Sequence, residues 1–227
     1  MADVPPSTNP IPAADAHRLP TDTDDGMLLI ISGPSGVGKT TITRGVERSI
    51  SDAVFSVSAT TRPKTAADVE GVDYHFVSDA EFERMRAENA FLETTEIYSN
   101  KYGTPADWVR AQLARGRLVI LEIDVPGAVA VKSRLPEAFA VFILPPDEMV
   151  LLERLRARKR EAEDVIQRRF SKARDEIARA RTCGVYNVFL VNDDLNSTIA
   201  RAIEIVRSER AQRTAQRRAR QSRTATP

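Results

Sequence analysis

An apolar run at residues 27–31 (MLLII) leads into Gly33-Pro34-Ser35-Gly36-Val37-Gly38-Lys39-Thr40, and an amphipathic stretch begins at Lys39. A strand, a glycine-rich loop and a helix in that order leave few folds open. The run is apolar at every position, so the strand belongs inside a sheet covered on both faces. Glycines at 33, 36 and 38 let the backbone turn with its amides pointing inward, and the positive end of the following helix reinforces that nest. The whole loop, Pro34, Ser35 and Val37 included, therefore reads as a cradle for the phosphates of a nucleoside triphosphate. Lys39 reaches the β- and γ-phosphates, and the Thr40 hydroxyl is offered to a Mg²⁺ ion that bridges phosphate oxygens. A plain glycine turn is the bland alternative, and an eight-residue pattern set between strand and helix argues against it.

The chain beyond the loop keeps the same rhythm. Short apolar runs at 54–57, 118–123, 138–144 and 186–191 read as further strands. Longer amphipathic stretches at 39–50, 79–89, 105–115, 147–158, 163–181 and 195–207 read as helices, with Asp193 or Asp194 capping the last. Strands alternating with helices specify an α/β fold with a parallel sheet flanked by helices. Residues 58–104 break the alternation, with a strand at 74–77, and are predicted to form an insertion beside the main sheet. The 227 residues fit one domain, expected over 26–210.

The ends differ from this middle. Residues 1–25 hold five prolines and five aspartates without apolar periodicity and are predicted to be disordered. Residues 211–227 form a basic tail expected to fray into solvent, and no aromatic residue accompanies its arginines, so a nucleic-acid partner is not expected. The formal net charge of +1 gives no global pull toward polyanions. Nothing approaches the ~20 apolar residues that cross a bilayer, so no membrane partner is expected. A single cysteine, Cys183, forms no internal disulfide and reads as a small apolar filler; a reducing cytoplasmic compartment fits it best. Trp108 reads as packing, and His75 faces away from Tyr74 and Phe76 on its strand. A monomer and a homo-oligomer both stay open.

A phosphate loop alone does not separate kinases from ATPases, GTPases or transporters. Other segments do: Ser58-Ala59-Thr60-Thr61-Arg62-Pro63, Gly71-Val72-Asp73-Tyr74-His75-Phe76, Phe91-Leu92-Glu93, Asn100-Lys101-Tyr102-Gly103-Thr104 and Glu122-Ile123-Asp124 with Gly127. In order and spacing these resemble guanylate kinases from about Met27 to about Arg210. The resemblance implies a P-loop NTPase-type sheet with a small mixed GMP-binding insertion at 58–104 and a helical lid at 147–182. It implies transfer of the γ-phosphate of ATP to GMP, giving ADP and GDP, in purine nucleotide metabolism.

It also implies a division of labour among residues. Guanine presents N1–H and a 2-amino group as adjacent donors, which one carboxylate accepts together, while O6 needs a donor. Glu93 suits the former, and Ser58 and Thr104 the latter. Adenine would leave a buried Glu93 unpaired, at a cost on the order of 1–3 kcal/mol. Asp124 resembles a second acidic residue near the base and the metal. The acceptor's phosphate falls to Arg62, Tyr74 and Tyr102, and the donor's adenine to Asn192. Arg154, Arg158 and Arg169 resemble the arginines that clamp both nucleotides' phosphates, so that no general base is required.

The chain departs from the family's pattern in two places. Thr65 stands where a second arginine is usual, followed by Ala66-Ala67-Asp68 in place of Pro-Gly-Glu, and Pro126 stands where glutamine is usual. Lys64 lies beside Thr65, but an ammonium does not copy a guanidinium's two-pronged geometry. Two alternatives accordingly stay open: a guanylate-kinase-like module that binds a protein segment, and a kinase of a different phosphorylated acceptor.

Overall fold

The computed structural model describes residues 26–97, 99–157 and 162–224, the side chains of 221, 223 and 224 excepted. The expected disorder of 1–25 and the position of Arg158 lie outside the described residues. Two sheets make up the molecule. The larger is parallel throughout and carries five strands: β1 (Met27–Ser32), β2 (Ala53–Phe55), β7 (Leu118–Glu122), β8 (Phe139–Leu144) and β9 (Val188–Val191). Their order is β2-β7-β1-β8-β9, which puts the phosphate-loop strand in the centre. The smaller sheet, in the order β4-β3-β6-β5, is mixed and comprises β3 (Ala59–Thr60), β4 (His75–Phe76), β5 (Phe91–Ile97) and β6 (Asn100–Pro105).

The central strand explains its own sequence. All six residues of β1 are buried, and the five apolar ones divide alternately between two cores. Met27, Leu29 and Ile31 pack with Ile42 and Val46 of α1 (Lys39–Ser49) and with Ala202 and Val206 of α7 (Leu195–Thr224). Leu28 and Ile30 pack with Val109 of α3 (Ala106–Ala114) and with Ala128 and Val131 of α4 (Val125–Arg134). A strand with helices on both faces loses the polar–apolar alternation of a one-sided sheet. Four further elements were anticipated less well or not at all. Helix α4 is missing from the sequence reading because Pro126 and Gly127 look like a turn. Pro126 occupies the first turn, where its missing N–H costs nothing, and the Asp124 side chain caps the helix by accepting from Gly127 N at 2.9 Å. Strands β3, β5 and β6 are short or rich in Thr, Glu and Lys, and their strand character comes from pairing within the small sheet.

The remaining helices are α2 (Asp79–Ala87), α5 (Glu148–Arg156) and α6 (Glu163–Thr182). Helices α5 and α6 share a core of their own, with Leu151, Leu155, Ile166 and Ala173. The final helix departs from expectation: it runs to Thr224 rather than stopping near Arg207 and fraying. No glycine or proline interrupts it, and Arg210 donates both arms of its fork to Asp52, at 2.9 and 2.6 Å. Arg213 adds bonds to Glu209 and to the Glu137 carbonyl. Among the described residues no helix is long and apolar enough to cross a membrane.

Candidate active site

Parallel strands bring all their carboxyl ends to one edge, and there the loop leaves β1. Gly36 and Gly38 hold φ angles of 86° and 96°, in the left-handed region that side chains disfavour. At Gly38 a Cβ would also stand 2.8 Å from Asn192 Nδ2. That side-chain amide donates to the Val37 carbonyl at 2.7 Å, tying the loop to the end of β9. Lys39 Nζ donates to the carbonyls of Gly33 and Pro34, at 2.6 and 3.1 Å, so the ammonium lies over its own loop. Arg169 of α6 donates to Ser35 Oγ on the loop's other shoulder. The Thr40 hydroxyl donates to Glu122 Oε1 at 2.9 Å, joining the start of α1 to the end of β7.

Facing the loop, the small sheet and α6 enclose a cleft of about 720 Å³. Glu93 of β5 stands in its wall, buried, and accepts at Oε1 from the Thr104 hydroxyl of β6 at 2.6 Å. Its other oxygen, Oε2, is buried with no hydrogen-bond partner. Burial pushes the Glu93 carboxyl up to about 7, and nearby Asp124 adds to the rise while the Thr104 bond opposes it. Asp124 is itself held at both oxygens, by Gly127 N and by the Thr95 hydroxyl at 3.0 Å. Gly127 leaves room for this pair, because a Cβ there would meet Glu93 Oε2 at 3.0 Å and Asp124 Oδ1 at 3.1 Å.

At the outer end of the cleft the rings of Tyr74 and Tyr102 meet edge to face, with centroids 5.6 Å apart. The Arg62 guanidinium carbon sits 5.2 Å from the Tyr74 ring centre and 5.4 Å from that of Phe76. Its fork is engaged end-on by Asp68, Nη1 donating to Oδ2 at 3.0 Å and Nη2 to Oδ1 at 2.8 Å. Asp68 also accepts from the Thr65 amide at 2.7 Å and hydroxyl at 2.6 Å.

The structure thus gathers most of the residues singled out in the sequence. Gly33, Ser35, Lys39, Ser58, Tyr74, Glu93, Tyr102, Asp124 and Arg169 line one cleft, and Thr104 adjoins it through Glu93. Arg154 is placed differently: its Nη2 donates to the Asn192 carbonyl at 3.1 Å, behind the loop, instead of beside Arg169. Its Nη1 is buried without a hydrogen-bond partner. Helix α5 meets the loop from the β9 side, whereas α6 meets it from the cleft side, and four-residue spacing along one helix does not reveal that. Three participants carried no assigned role in the sequence reading. Glu122 is one, although a carboxylate at the carboxyl end of a strand beside the loop strand is itself a signal. The others are Lys172 and Glu176, which line the cleft three and seven residues after Arg169, on the same helical face. Burial raises the Glu176 carboxyl, with Lys39 and Lys172 opposing the shift.

A central parallel sheet, a phosphate loop at its carboxyl edge and an acceptor cleft facing that loop define a phosphate-loop nucleotide phosphotransferase. The family model described as guanylate kinase matches residues 25–209. A guanylate kinase from Anaeromyxobacter dehalogenans is 44% identical over 87% of this chain and 85% of its own length. One from Carboxydothermus hydrogenoformans is 45% identical over 77% of this chain and 84% of its own. The crystal structure of guanylate kinase from Anaplasma phagocytophilum superimposes with a TM-score of 0.67 at 29% identity, covering 82% of this chain and 87% of that one. The chain belongs to the guanylate kinase family.

Proposed function

We infer that this cleft transfers the γ-phosphoryl group of ATP to GMP, giving ADP and GDP. The observation that carries the acceptor is Glu93, which lines the same cleft as Lys39 and whose buried Oε2 has no hydrogen-bond partner. A carboxylate with one oxygen satisfied by Thr104 and another unmet suits the paired N1–H and 2-amino donors of guanine; the single Thr104 proton is spent on Glu93, which leaves Ser58 as the hydroxyl for O6. Arg62, Tyr74 and Tyr102 hold the acceptor's phosphate. The loop from Gly33 to Thr40 holds the donor's phosphates through its amides, while Asn192 and Arg154 back it from the β9 side. On this reading 58–104 is the acceptor unit and 147–182 the lid.

Lys39 exchanges its bonds to the Gly33 and Pro34 carbonyls for phosphate oxygens and follows the γ-phosphoryl group. Arg169 already lies at Ser35 and needs only a side-chain shift to meet the same charge. Phosphoryl transfer asks chiefly for alignment and charge stabilisation, so none of these residues needs to act as a strong base. Thr40 and Glu122 offer a hydroxyl and a carboxylate 2.9 Å apart, a hard oxygen pair suited to Mg²⁺, which keeps several waters and takes few protein ligands. When bound there with ATP, the metal would neutralise charge on the phosphate oxygens. A reducing cytoplasmic setting belongs to the same proposal and rests on the single Cys183.

A coupled assay presenting GMP, dGMP, AMP, CMP and UMP separately with ATP and Mg²⁺ tests the reading. ADP formation dependent on GMP is expected, with AMP turned over at least tenfold less efficiently. Absence of turnover with GMP would overturn it.

A further inference from the structure

The Arg62 guanidinium has five N–H groups, and the protein uses three of them. Two go end-on to Asp68, and the second Nη1 hydrogen goes to the Pro63 carbonyl at 3.2 Å. Unclaimed by any described residue are the Nε hydrogen and the remaining Nη2 hydrogen. These two point in parallel along the side edge of the fork, which is the second of the two edges able to grip an oxyanion with paired donors. Asp68 is tightly fixed. It receives two bonds from Thr65 besides the two from Arg62, and those contacts hold its carboxyl well below the usual carboxylate range. The Asp68 side chain is only 14% exposed and that of Arg62 25%, so neither swings freely in water.

We propose that Asp68 is a positioning residue for the acceptor's phosphate: it clamps Arg62 end-on and so aims the Nε–Nη2 edge at two phosphate oxygens. This deepens the proposed role of Arg62 in binding GMP and rests on it. Thr65 acquires a purpose in the same stroke. Where the family pattern has a second cation, this chain has the residue that fastens the carboxylate, so that one arginine, oriented from behind, carries the phosphate. An opposite relation is physically conceivable, in which Asp68 competes with phosphate for the fork. The two relations predict shifts of opposite sign.

The test uses the full chain and compares wild type with Asp68→Ala, Asp68→Asn, Asp68→Glu, Arg62→Lys and the double variant Asp68→Ala with Arg62→Lys, measuring KM separately for GMP and ATP. Removing an ionic hydrogen-bond partner predicts a rise of about tenfold or more in the KM for GMP in Asp68→Ala, with the KM for ATP and kcat within about twofold. Asp68→Asn, which keeps the shape, gives a smaller rise, and Asp68→Glu, which keeps the charge, restores most of the affinity. A lysine has no second edge to aim, so in the Arg62→Lys background Asp68→Ala adds less than about twofold. An unchanged or lowered KM for GMP in Asp68→Ala overturns the proposal, as does an equal effect in both backgrounds. A KM for GMP unmoved by Arg62→Lys overturns instead the role of Arg62 itself.

Discussion

Glu93 shows how much the chemistry of one side chain sets. A carboxyl raised to about 7 in the fold, against an ordinary value of 4.5, is disfavoured as a charge by its surroundings. Its folded-state value is raised, so the destabilisation is complete above pH 7 and fades as pH falls toward 4.5. It amounts to about 3 kcal/mol. Glu93→Gln is therefore expected to raise thermal stability at pH 8 and to have little effect near pH 4.5, while raising the KM for GMP at least tenfold; melting curves at the two pH values and initial rates check both halves. Wild-type affinity for GMP is expected to fall as the pH drops from 8 to 6, because a protonated Glu93 no longer accepts both guanine donors. Isothermal titration at these pH values measures it. Gly127 sets the space behind that carboxyl. Gly127→Ala drives a methyl against Glu93 and Asp124, and a rise of about tenfold in the KM for GMP is expected with a smaller change for ATP.

Elements differ in how openly the sequence declares them. The unit from β1 through the loop to α1 was legible because its strand, glycines, lysine and helix are contiguous and each residue's reason is local. The strands β7 and β8, buried on both faces, announced themselves as apolar runs for the same reason. Helix α4 stayed hidden behind Pro126-Gly127, and β5 carries Glu93-Thr94-Thr95-Glu96, a run whose strand character comes only from pairing with β6. The Asp68 clamp and the rear position of Arg154 are tertiary facts that no spacing encodes. The end of α7 is another, since Arg210 is anchored by Asp52, 158 positions earlier in the chain. Arg210→Ala would leave Asp52 nearly buried without that fork, and about 2 kcal/mol of stability is expected to disappear in chemical denaturation, with kcat essentially unchanged.

Taken as a whole, the molecule divides its tasks between two sheets. Lys39 and the loop belong to the large sheet, while Glu93, Arg62, Tyr74 and Tyr102 belong to the small sheet and its connections, and the cleft runs between them. Lys39→Ala is accordingly expected to lower kcat by at least a hundredfold while leaving the dissociation constant for GMP within about twofold, measured by calorimetry without ATP. Asn192 gives this arrangement one further property. Its amide pins Val37 from the edge of the large sheet as Arg169 reaches Ser35 and Lys39 bridges Gly33 and Pro34. A loop held at so many points gives up its conformational entropy when the chain folds, so an arriving nucleotide meets a cradle already shaped and loses little affinity in ordering it.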